Sequence, residues 1–175
     1  INSGQLVWQT PTQSSLVLDD GFFIKTSDII ADKNTLYFSN NKNSFFSLDI
    51  NTGTLNWKQK INSKIRPTLI DNYILSVSST GYLIIIEKIS GNIIRITDIF
   101  KNIKIKIRSK IHPTGFIVGK NSIYLTTSHG RLLIIDLAKG KLKNIIKIDN
   151  KNIYRPSFLN QRLYVLTDNS IIILN

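Results

Sequence analysis

The chain has no cysteine among its 175 residues. That excludes disulfides, thiolate metal centres and a cysteine nucleophile, while leaving the compartment open. Histidine occurs only as His112 and His129, one before Pro113 and the other before Gly130. Two loop histidines without an acidic cluster predict no metal site. Alanine occurs twice, at Ala31 and Ala138, against 32 isoleucines. Strong helix formers are therefore scarce, and β-branched residues that suit pleated strands abound. The longest apolar runs, such as Leu83-Ile84-Ile85-Ile86, fall far short of the ~20 residues of a membrane-spanning helix. Ile1-Asn2-Ser3-Gly4 has neither the charged nor the apolar region of a signal peptide.

Acid is also in deficit. Lys and Arg number 23 against 11 Asp and Glu, a net charge of +12. Such a balance fits a polyanion, an anionic membrane or an acidic protein partner. It equally fits a genome whose base composition favours Lys, Asn and Ile codons. The length corresponds to one domain.

What the chain does contain is a repeat. In Leu48-Asp49-Ile50-Asn51-Thr52-Gly53-Thr54-Leu55-Asn56-Trp57 a strand ends, Asp, Asn and Gly make a tight turn, and a new strand begins. Apolar anchors recur at Leu36, Ile74, Ile123 and Leu163. Each is followed by a turn residue (Asn43, Gly81, Gly130, Ser170), and the first three by an acid (Asp49, Glu87, Asp136) and a glycine (Gly53, Gly91, Gly140). A period of about 40 residues carrying several short strands predicts an all-β fold, a β-propeller of four-stranded antiparallel blades. The boundaries are 26–61, 65–97 and 111–148 for three blades and 153–175 for an incomplete one. Residues 1–10 are the last strand of a blade, because Ser3-Gly4-Gln5-Leu6-Val7-Trp8 matches Thr52-Gly53-Thr54-Leu55-Asn56-Trp57. Two readings of the ends follow. Either residues 1–10 complete the last blade and close the ring, or the chain is a piece of a longer ring.

Two segments interrupt the period, Thr10 to Lys25 and Asp98 to Lys110. In the second, Ile103, Ile105 and Ile107 alternate with Lys104, Lys106 and Arg108. Strict alternation predicts an extended strand with one buried and one wet face. Its cations either guard a sheet edge or form a basic docking face.

The turn at Asp49–Trp57, the copy at Gly130–Leu142 and the Pro-led first strands resemble the PQQ-like repeat, in which an Asp-x-x-Thr-Gly-x-Leu-x-Trp turn joins the outer strands of a blade. The resemblance covers nearly the whole chain except 11–25 and 98–110. It departs at Arg95 and Asn144, where Trp is expected, so packing between blades must differ there. The family has two functional groups. Quinoprotein dehydrogenases hold pyrroloquinoline quinone and calcium; they are much longer and commonly carry a vicinal disulfide. The BamB type is non-catalytic and serves the outer-membrane barrel-assembly machinery. The resemblance implies the second: a protein-binding scaffold on the periplasmic face of the outer membrane, without cofactor, anchored through a lipid outside this chain. BamB-type rings have eight blades, so four blades would be half of one. The alternatives are a fragment of a quinoprotein-like dehydrogenase and a basic surface for polyanions.

No reaction centre is legible. Acids that recur blade by blade are turn formers, whereas catalytic acids need unlike environments at one site. One constellation invites a binding role. Arg66, His112 and Arg155 each precede the Pro that opens a first strand. In a propeller that strand lines the central channel, so these three are expected to ring its mouth. With Lys104, Lys106 and Arg108 they are the candidate partner-binding residues.

Overall fold

The computed structural model describes residues 3–12 and 25–175. Among the described residues, fifteen strands form four antiparallel sheets. The first holds β1 (Ile30–Asp32), β2 (Thr35–Asn40), β3 (Ser44–Asp49) and β4 (Leu55–Gln59), side by side in chain order. The second holds β5 (Thr68–Ile70), β6 (Tyr73–Val77), β7 (Tyr82–Glu87) and β8 (Ile93–Asp98) in the same order. A short helix, α1 (Ile105–Arg108), precedes the third sheet of β9 (Pro113–Val118), β10 (Ser122–Thr127), β11 (Arg131–Asp136) and β12 (Leu142–Lys147). β13 (Ser157–Leu159), β14 (Arg162–Leu166) and β15 (Ile171–Leu174) make the last.

The repeated turn is built alike in each complete blade. Gly53, Gly91 and Gly140 have φ of +70°, +73° and +68°, a region that glycine enters without penalty. Their N–H groups donate to the carbonyls of Asp49, Glu87 and Asp136. The Asp49 carboxylate also accepts the N–H groups of Asn51 (2.8 Å) and Thr52 (2.9 Å), and that of Asp136 accepts the Lys139 N–H (2.7 Å). The recurring acids are thus turn formers. A register shift follows in every copy, at Ser47/Leu48, Ile85/Ile86 and Ile134/Ile135.

Blades pack face to face, and the core lies between them. Tyr37, Phe45 and Ile61 meet Ile74, Ile84 and Ile86. Leu75, Val77 and Phe100 meet Phe116, Ile123 and Leu133. Leu132 meets Ile153, Leu163 and Val165. A second device locks the seams. The Trp8 and Trp57 Nε1 groups donate to the carbonyls of Ile50 and Lys88, both at 2.9 Å. Each acceptor follows the repeated acid of the next blade, and each indole lies over that blade's turn glycine, Gly53 or Gly91. Arg95 does replace this indole, yet it keeps the acceptor. Its guanidinium donates to Leu137 O (3.2 Å) and Ala138 O. Thr97, not a ring, covers Gly140.

Two expectations need correction. Residues Gln5–Gln9 form no strand, and among the described residues β15 pairs only with β14. The blades are therefore not closed into a ring by the N-terminal segment, whose Trp8 and Thr10 dock instead on the turn of the first blade. The alternating segment 103–108 is not a strand. The N–H groups of Ile107 and Arg108 both donate to Lys104 O, at 2.9 Å. Pairing with none of the described strands, this backbone satisfies its polar groups locally, in a helical turn. Of the other interruption, residues 13–24 lie outside the described residues.

Candidate partner-binding site

Pro67 and Pro156 open or immediately precede β5 and β13. Proline fixes its own φ and biases the preceding residue toward extended backbone. Arg66 and Arg155 are thereby delivered to the start of two first strands. Both line one cleft of about 220 Å³, whose walls are Ile30 and Ala31 of β1, Pro67, and Thr68 and Leu69 of β5. Arg155 is half-buried and Arg66 exposed. The Arg155 backbone and Cβ press against Gly115, where no side chain would fit. Its Nε donates to Phe116 O at 3.3 Å. Burial, and then the like charge of Arg66, push the Arg155 guanidinium below its usual range, while Asp28 acts in the opposite sense. The Thr68 hydroxyl in the same wall is buried and has no hydrogen-bond partner. Two guanidinium groups thus give this cleft a cationic lining, a type of group that can fork a carboxylate.

His112 does not join them. It lines a separate cleft of about 260 Å³ with Ser79, Thr80 and Arg108, and its backbone N–H donates to Ser128 Oγ (3.0 Å). The sequence placed all three at one chain position, but the link 99–112 into the third blade carries α1 and brings His112 in by another path.

The basic segment divides. Lys104 and Lys106 are exposed. Arg108 is engaged: its Nη1 binds Asp98 Oδ2 at 2.8 Å and its guanidinium lies 5.7 Å from the Tyr82 ring centroid. The hydrogen bond to Asp98 pushes the Arg108 guanidinium above its usual range, so Arg108 holds its proton more tightly. It is the staple that fixes α1 to β8. Sequence reasoning passed over Lys101, Lys139 and Lys141, which join Lys104 and Lys106 on the same side of the molecule. Nothing in the linear pattern links 101 to 139; only blade packing does. Among the described residues no group of three His, Asp or Glu is placed to hold a metal ion.

Residues 1–97 match the family described as outer membrane protein assembly factor BamB. The outer membrane protein assembly factor BamB of Legionella pneumophila is 24% identical over 135 residues, covering 75% of this chain and 30% of that protein. The chain thus spans less than a third of this curated relative. Among solved structures, BamB from Moraxella catarrhalis superposes with a TM-score of 0.67 at 14% identity, over 84% of this chain and 42% of that one. The computationally designed Ika4 protein gives 0.61 at 14% identity, over 85% of this chain and 91% of its own. The likeness to the solved structures shows the fold alone, the blade repeat described above. The match over more than half of the chain shows the lineage: this protein belongs to the outer membrane protein assembly factor BamB family.

Proposed function

We propose that the chain is a non-catalytic protein-binding scaffold of outer-membrane protein assembly, working at the periplasmic face of the membrane. The family match over residues 1–97 carries this reading. The repeated acids Asp49, Glu87 and Asp136 support it, since all three lie at blade turns and two bind turn N–H groups. The partner is the barrel-assembly machinery, and the anchor is a lipid carried outside this chain. The cleft of Arg66 and Arg155 receives a carboxylate of that partner, and His112, in its separate cleft, offers a second polar contact. The outer edges of the blades offer unpaired backbone for strand addition.

The test is capture of purified barrel-assembly machinery on the immobilised chain. Saturable binding is expected, at least tenfold weaker for the Arg66→Glu, Arg155→Glu double variant. The absence of binding overturns the reading. The enzyme alternative has its own test: binding of pyrroloquinoline quinone with calcium, and reduction of an artificial electron acceptor, would replace the scaffold with a quinoprotein.

A further inference from the structure

Two clefts adjoin on the outer side of the seam between the second and third blades. One, of about 580 Å³, is lined by Lys101, Lys139 and Lys141 over Ile96 and Thr97. The other, of about 540 Å³, is lined by Lys101, Lys104 and Lys106 over Ile103 and Ile107. Lys101 and Asn102 belong to both, so the clefts form one groove. Each falls within the range of about 300–1,000 Å³ typical of ligand-binding clefts.

The groove exists because of an insertion. The link from β8 to β9 runs over 99–112, against 60–67 and 148–156 at the other two seams. The extra residues fold as α1 and its lead-in, stapled by Arg108 to Asp98. The floor is apolar and open: Ile96 is 57% exposed and Ile107 45%. The rim is cationic. All five lysines are exposed, and among the described residues none of their ammonium groups has a hydrogen-bond or ion-pair partner. The one acid in the lining, Asp98, is already engaged by Arg108 and by the Phe100 N–H.

An apolar floor under a ring of unpaired cations calls for a ligand with the complementary pattern. A bilayer surface does not fit, because it accepts protruding apolar groups and this site is concave. Single-stranded nucleic acid binds by stacking on aromatic rings, and neither cleft is lined by one. We propose that this groove binds an extended peptide segment in which acidic residues alternate with apolar ones. Carboxylates would meet the lysine rim and aliphatic side chains would cover Ile96 and Ile107. The site is separate from the Arg66–Arg155 cleft, and it stands whether or not the chain serves barrel assembly.

The probe is a fluorescein-labelled octapeptide of alternating glutamate and leucine, followed by anisotropy in about 0.15 M salt. A glutamate–serine twin isolates the charge contribution. Saturable binding is expected, at least fivefold weaker for the twin and weakening as salt rises. Lys104→Glu with Lys106→Glu, and separately Lys139→Glu with Lys141→Glu, should each weaken it tenfold or more. Lys64→Glu with Lys151→Glu makes the same change of net charge elsewhere and should leave binding within twofold. Circular dichroism confirms that each variant keeps its fold. Equal binding of the two peptides, or an equal loss in the control variant, would reduce the effect to bulk charge and overturn the proposal. So would wild-type affinity in either groove variant. Failure to capture the barrel-assembly machinery would leave these outcomes unchanged.

Discussion

Gly91 shows how one residue joins conformation to packing. Its φ is +73°, and a Cβ added there would lie 2.5 Å from Trp57 Cδ2. Alanine at position 91 must accept a left-handed backbone, at about 1–2 kcal/mol, and also displace the indole that seals the seam. Gly91→Ala should therefore destabilise by roughly 3 kcal/mol. Gly4 has a similar φ of +67° but nothing within 4 Å of the added atom. Gly4→Ala should cost only the backbone strain, about 1–2 kcal/mol. Urea unfolding of the pair separates the two terms, and equal losses would contradict the contact. Trp57→Phe keeps most of the ring but loses the bond to Lys88 O, for about 1 kcal/mol in the same assay. Arg95 was the residue least legible in the sequence. Against an aromatic pattern a guanidinium reads as a departure. Indole and guanidinium share only an N–H at the end of a flat group, and that proved to be the property the neighbouring carbonyls use.

At the scale of elements, the repeated turns share the acid dependence of stability with Asp32, whose bond to Lys88 also holds its carboxyl below the ordinary range. Asp49 is held below the ordinary carboxylate range first by the Thr52 N–H and then by that of Asn51; Asp136 is held there by the Lys139 N–H and then by Lys143. A carboxyl whose folded pKa lies below its unfolded value of about 3.9 adds stability above that pH, and the gain fades as pH falls through the folded value. Melting temperature should hold steady from neutral pH down to about 4 and then drop. Asp49→Asn with Asp136→Asn should flatten that drop, measured by thermal melts across pH 2.5–7. Strand positions were readable because Gly, Asp and Asn punctuate each blade at fixed offsets. The segment 103–108 misled for a definite reason. Alternation of Ile with Lys describes side chains only, whereas a strand also needs a partner for its backbone, and 103–108 pairs with none of the described strands. Arg108→Ala should release α1. Hydrogen exchange should rise across 101–110 while the melting temperature moves little; protection kept in the variant would show that the staple is not what holds the helix.

For the whole molecule, the placement of the core between blades ties neighbours into one cooperative unit. Phe100 is fully buried and packs over Gly81. Phe100→Ala should cost about 3–5 kcal/mol, and the loss should appear in one transition seen by both Trp8 and Trp57 fluorescence, not in a blade melting alone. The period of the sequence was enough to foresee the stack of blades. It could not say which side chains from separate blades share a cleft, because Arg66 and Arg155 lie 89 positions apart. The tryptophan docking also imposes an order in time. Each indole fits a slot contributed by sequence still to be made: Trp57 leaves the ribosome some thirty residues ahead of Lys88 and Gly91. During synthesis each of the two indoles stays uncovered until the turn of the next blade is made, whereas at the following seam Arg95 stands in its place. Growth is thus vectorial, from first blade to last, and a pause just after residue 57 would be the moment when the nascent chain most needs a chaperone.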